Sequence, residues 1–179
     1  MQKPIYDIVF LTGTPSFYKT NLFNCIANKR KVLVVYCGYY DDAENSSEDE
    51  LNKCKFDYKF IYKRDIEQRN KIKCFFKLIS ILRKIKYKKI IHEGWYIPEY
   101  IILSFLTPKR KNATMCESTI YESNISGLRG FIKRVIINRS SSALPSGTAH
   151  KAIFDAIGFK GDIYITRGVG IFHKPERVI

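Results

Sequence analysis

Neither glycine pattern that usually cradles nucleotide phosphates occurs in this chain: there is no GxGxxG and no GxxxxGK[ST], so dinucleotide and P-loop readings lose their main support. Its five cysteines, Cys25, Cys37, Cys54, Cys74 and Cys116, are odd in number and contain no CxxC, which argues against zinc and for free thiols in a reducing compartment. Acid is scarce, with 17 Asp and Glu against 31 Lys and Arg. Long apolar runs are missing too; the nearest to a spanning helix, residues 96–107, contains Pro98 and Glu99. The first residues lack the apolar core and cleavage site of a signal peptide. Together these absences predict a cytoplasmic protein, at most peripheral on the inner face of a membrane. No internal repeat or low-complexity linker divides the 179 residues, a length that suits one domain.

What is present is a basic, aromatic chain. A formal charge of +14 favours polyanions, whether nucleic acid, anionic lipid or a phosphorylated substrate, without choosing between them. The charge is uneven: residues 69–89 hold nine basic side chains and no acid, and residues 41–50 hold six acids and no base. In the basic block Ile72, Phe75, Phe76, Ile79 and Leu82 recur at helical spacing, with Lys71, Lys73, Lys77, Lys84 and Lys86 largely off that stripe. That pattern reads either as a helix packed on a sheet with a solvated basic face, or as one whose basic face docks on anionic lipid.

Strands and helices alternate along the chain. Continuous apolar runs at residues 5–11 and 31–37, weaker ones at 56–62, 89–92, 113–116 and 143–145, and a last one at 163–165 read as strands. Helices are expected at 17–28, in the basic block, at 96–105 with Pro98 in the first turn, at 128–138 and at 149–157, with Gly158 in the left-handed position just past the end. This order predicts a Rossmann-like α/β fold, a doubly wound and mostly parallel sheet with helices on both faces.

Such a sheet keeps its ligands outside the carboxyl ends of its strands. Four loops there carry the candidate chemistry. Gly13, Thr14 and Lys19 follow the first strand, where backbone amides entering a helix suit an anion, although a plain turn is an equal reading. His92, Glu93 and the one tryptophan, Trp95, could face a sugar ring, or pack as core. Glu117 needs a cavity or a partner and could act as a base, with Ser118 and Thr119 beside it as ligands or caps. The fourth loop, Ser146-Gly147-Thr148, leads into a helix with His150 in its first turn, a hydrogen-bonding ring or a surface residue. Arg129, Lys133 and Arg134 on one helix could line a phosphate-facing groove or be solvated.

Taken in order, Pro15-Ser16-Phe17-Tyr18-Lys19, Glu93-Gly94-Trp95 with Pro98, Glu117-Ser118-Thr119, Lys133-Arg134 and Ser146-Gly147-Thr148-Ala149-His150 with Gly158 resemble the N-terminal half of glycosyltransferase family 4. The resemblance implies a GT-B architecture, with residues 1–170 as the acceptor-side domain, and retaining sugar transfer from a nucleotide-sugar without an essential metal or other cofactor, commonly in cell-surface polysaccharide or lipopolysaccharide synthesis. It implies that Gly13, Thr14 and Lys19 border the donor phosphates, that His92, Glu93, Trp95, Ser118 and Thr119 border the acceptor, and that Glu117 and His150 are catalytic. It further implies that residues 168–171 resemble an interdomain junction, that residues 171–179 open a linker, and that a C-terminal donor domain or separate donor subunit supplies the other wall. The chain alone is then expected to be inactive. The alternatives are a basic nucleic-acid- or anion-binding module, disfavoured for nucleic acid by the lack of zinc-finger spacing and of an RNP-like aromatic pattern, and a self-contained enzyme for a small phosphorylated substrate.

Overall fold

The computed structural model describes residues 2–39 and 49–167. Most of the acidic run and the junction expected at residues 168–171 lie outside them, as does the linker. Seven strands form one all-parallel sheet in the order β3-β2-β1-β4-β5-β6-β7. They are β1 (Ile5–Thr12), β2 (Val32–Tyr36), β3 (Asp57–Phe60), β4 (Lys86–Glu93), β5 (Asn112–Cys116), β6 (Ser142–Pro145) and β7 (Asp162–Ile163). The helices that connect them include α1 (Phe17–Ala27), α2 (Lys71–Arg83), α3 (Pro98–Leu106), α4 (Gly127–Ile137) and α5 (Thr148–Ala156). This is a Rossmann-like α/β fold.

The central strands show why it is doubly wound. All five residues of β2 are buried, because both faces of the sheet are covered there. On one face Phe10, Val34, Tyr36 and Ile91 pack with Phe23 of α1; on the other Val9, Leu11, Leu33, Val35 and Ile90 pack with Leu78 of α2 and Tyr100 and Leu103 of α3. Successive residues of a strand point to opposite faces, so one strand serves both cores. Farther along, Ala143 meets Ile137 of α4 and Ile153 and Phe154 of α5. Gly158 stands just past α5 with φ 67°, the left-handed conformation expected of it.

The basic block departs from its expected form. Helix α2 starts where the Asn70 side chain accepts a hydrogen bond from the Lys73 amide and ends at Arg83, with Lys84 as its C-cap. Lys86 belongs to β4, which begins three residues before the strand expected at residues 89–92. The buried stripe of α2 is Cys74, Leu78, Ile81 and Leu82, leaving Ile72 and Phe76 exposed. Nearly every frame of this segment offers apolar residues at three and four spacings, so contact with the sheet decides which stripe turns inward. Strand β7 also has two residues rather than three.

Helix α4 packs unusually close. Its Gly130 is buried, and a Cβ there would fall on the backbone carbonyl of Ile125. Backbone cannot swing aside as a long side chain can. Gly130→Ala is expected to cost about 1–3 kcal/mol, read as a shifted midpoint at unchanged slope in urea unfolding.

Candidate functional site

The carboxyl ends of β1, β4, β5 and β6 meet at one edge of the sheet, and a polar cluster forms where the first three converge. Its centre is Glu93, the last residue of β4, which is 5% exposed. One carboxylate oxygen accepts from the Thr12 hydroxyl at 2.6 Å and from the Gly13 amide at 2.6 Å. The other pairs with the ammonium of Lys19, itself buried on α1 and 3.2 Å from the Thr12 hydroxyl oxygen. Burial alone would drive both groups toward their neutral forms. Mutual attraction outweighs it, and the pair, aided by the Thr12 and Gly13 donors, holds Glu93 below the usual carboxylate range and Lys19 above the usual lysine value. A buried ion needs several such partners, and here they are supplied.

The sequence places Lys19 at donor phosphates, whereas the structure commits its ammonium to Glu93. Its work in this geometry is to tie the loop after β1 to the end of β4. The Tyr100 hydroxyl reinforces the same loop from the other face, lying 2.9 Å from the Thr12 carbonyl and 3.1 Å from that of Val35. Neither Thr12 nor Tyr100 stands out in the sequence as part of a site. Only the strand register reveals them.

Glu117 follows β5 and stands at the rim of this cluster, exposed on one side. The Tyr18 hydroxyl reaches it at 3.5 Å. Protein crowding on its other side raises the Glu117 carboxyl above the usual range; Lys19, the Tyr18 hydroxyl and His150 oppose that shift, and the charge of Glu93 adds to it. Lys19 and His150 both lie close enough to act on it electrostatically. Glu117 is thus a carboxyl with one face to solvent and a ring of polar neighbours behind it.

Two polar atoms at this edge are buried without a hydrogen-bond partner among the described residues: the Ser16 hydroxyl and His150 Nδ1. Ser16 is the N-cap of α1, yet its side chain makes no capping bond. His150 lies in the first turn of α5, its ring packed close to Gly147. The sites of Thr14, Ser118 and Thr119 are half-buried at the same edge, Thr119 with its amide donating to Glu122.

His92 and Trp95 are held apart from this cluster. His92 is the residue before Glu93 on β4 and so points to the opposite face, where it is buried with Nε2 3.3 Å from Asn112 Oδ1. Burial lowers its pKa to about 4, against a partial pull upward from Asn112. Trp95 is half-buried against the Cys116 and Ile137 core, and the Lys133 ammonium lies 5.0 Å from its ring centroid. That contact gives Lys133 a packing partner and covers the indole with a cation. Lys71, Lys73, Lys77, Lys84 and Lys86 are all exposed.

All five cysteines are free, and among the described residues no three His, Cys, Asp or Glu side chains converge as a metal-binding group. No helix among them is long and apolar enough to cross a membrane. No known protein family matches the chain, and no curated protein matches it in sequence.

Proposed function

We propose that the carboxyl edge formed by β1, β4, β5 and β6 is the acceptor-side wall of a sugar-transfer cleft, the donor wall being contributed by a second domain or subunit. The observation that carries this reading is the convergence of Glu117, Tyr18 and His150 from three separate segments onto one rim, with the unbonded Ser16 hydroxyl beside Tyr18 at the start of α1, over a loop pinned by the Lys19–Glu93 pair. Sugar hydroxyls both donate and accept, and this rim offers a carboxyl, a phenol, a hydroxyl and an imidazole in a fixed frame. The first-turn amides of α1, with the unbonded Ser16 hydroxyl beside them, suit a phosphate of a nucleotide-sugar donor. The ordered resemblance to glycosyltransferase family 4 supports the same assignment.

Within this reading the chain contributes positioning. It orients the acceptor hydroxyl toward the donor sugar, and Glu117 or His150 receives or relays the proton that hydroxyl loses. Stabilisation of the leaving diphosphate falls mainly to the donor half.

The test is saturation-transfer NMR of the chain with a panel of oligosaccharides and nucleotide-sugars. Saturation of glycan ring protons, reduced by about tenfold or more in affinity in Glu117→Ala and weakened in His150→Ala, is the expected result. Absence of transfer to every glycan, together with salt-sensitive retention of DNA or RNA, would instead support the nucleic-acid module.

A further inference from the structure

The layer formed by α2, α3 and α4 turns many large apolar side chains outward. On α4 the exposed residues are Leu128 (75%), Phe131 (61%), Ile132 (48%) and Val135 (41%), at positions i, i+3, i+4 and i+7. These spacings make one stripe of a helix, and a surface helix ordinarily turns that stripe to the core. Here the core side of α4 is formed by Gly130 and Ile137, so the apolar stripe faces solvent. Neighbouring α3 does the same with Ile102, Phe105 and Leu106, while burying Tyr100 and Leu103, and α2 adds Ile72 and Phe76.

The three helices form one surface. All three lie on the same side of the sheet, since α2 and α3 follow crossovers that move in the same direction across it as α4 does. Helix α2 packs on α3, and the bidentate pair from Arg69 to Glu99 (2.7 and 3.1 Å) locks the start of one to the first turn of the other. At the far end, the Arg139 guanidinium just past α4 lies 5.3 Å from the Phe105 ring centroid.

The exposed charge carried by α2, α3 and α4 themselves has one sign, and Asp155 of α5, which borders Arg134 and Val135, is paired with Lys151. Neither α2 nor α4 contains an acid, and the single acid of α3, Glu99, is 1% exposed and paired with Arg69. Lys71, Lys73, Lys77, Arg83, Arg129 and Arg134 are exposed among the apolar residues, and the turn carrying Lys109 and Arg110 flanks them.

We infer that the outer surface of α2, α3 and α4 docks on an anionic lipid bilayer. Apolar ridges set among cations match the interfacial region of such a membrane, where rings and aliphatic chains enter the headgroup boundary and each Lys or Arg near the surface adds electrostatic attraction. A protein partner fits less well, because interface cores are depleted in lysine. Nucleic acid would use the cations and leave the Leu, Ile and Val stripe idle. The docking surface is wider than the lysines of the basic block, and its apolar component sits chiefly on α3 and α4. It stands independently of what the carboxyl edge binds.

The experiment is vesicle flotation of the full chain with phosphatidylcholine alone and with phosphatidylcholine containing phosphatidylglycerol. Expected is partition onto the anionic vesicles only, reduced by about tenfold or more in Leu128→Ser/Phe131→Ser/Ile132→Ser and also in Lys71→Glu/Lys73→Glu/Lys77→Glu. Because every one of these residues is exposed, circular dichroism should show the fold retained. Lys29→Glu/Arg30→Glu, beyond the end of α1 on the other side of the sheet, should leave partition near the wild-type value. Equal loss in that control would reduce the effect to net charge and overturn the proposal. So would absence of vesicle binding, or a dimer in light scattering that the α4 triple substitution converts to monomer, which would make the surface a contact between copies.

Discussion

Lys19→Met is expected to lower the stability of the chain by about 3–5 kcal/mol, the usual cost of stripping one partner from a buried ion pair. The cost comes from what is left behind. Glu93 would keep the Thr12 and Gly13 donors but would have to hold a charge, or take up a proton, in a site 5% exposed to water. Urea unfolding followed by circular dichroism measures it. The double variant Lys19→Met/Glu93→Gln should recover a substantial part, because a neutral amide still accepts from Thr12 and Gly13. A loss under about 1 kcal/mol in the single variant would mean that water or another cation replaces Lys19. The pH dependence has a defined sign. Glu93 is held low, so its contribution is intact above the ordinary carboxylate range and is lost as pH falls through its lowered value. Lys19 is held high, so its contribution is complete below the ordinary lysine value and is lost as pH rises from there through the raised one.

Acid should begin to weaken the fold well before those carboxylates protonate, and His92 is the reason. In the unfolded chain its imidazole takes up a proton near the ordinary value of 6.5, whereas in the folded chain burial holds it neutral down to about 4. The unfolded state therefore binds more protons between these values, and stability falls by about 3 kcal/mol across that window. Below pH 4 both states are protonated and this loss stops growing. His92→Leu should flatten the curve of unfolding free energy against pH between 6.5 and 4 while leaving the region above 7 with little slope. An unchanged slope in that variant would assign the acid sensitivity to other groups. NMR titration of the His92 ring gives the second reading, since its shifts should stay those of a neutral imidazole at pH 5.

These two residues also show how far the sequence could be read. Strand ends are local, and the placing of Gly13, Glu93, Glu117 and Ser146 at one edge follows from apolar runs that stop at polar or glycine residues. Helix α1, strand β2 and the left-handed Gly158 are legible for the same reason. The partnership of Lys19 with Glu93 is not, because 74 positions separate them and only the β1–β4 pairing brings them together. His92 and Glu93 look like one constellation in the sequence, but neighbouring strand residues face opposite ways, and the structure sends Glu93 to the buried centre of the polar cluster and His92 beneath α3 and α4. The length of β4 was hidden by Lys86, Lys88 and Lys89, whose charge fits a helix face as well as the exposed start of a strand. The inward stripe of α2 was ambiguous for a different reason, since apolar residues occur on both of its sides.

The position of β1 at the middle of the sheet, between β2 and β4, has a consequence for synthesis. The strand leaves the ribosome before both of its neighbours and can be completed only on one side until residue 93 has been made. Throughout that interval Lys19 has no counterion, so α1 cannot settle against the sheet with its ammonium buried. Elongation at roughly 5–20 residues per second leaves this first βα unit waiting for several seconds. A nascent chain stalled before Glu93 should therefore remain open to protease around Lys19, and one stalled after β4 has emerged should be protected there.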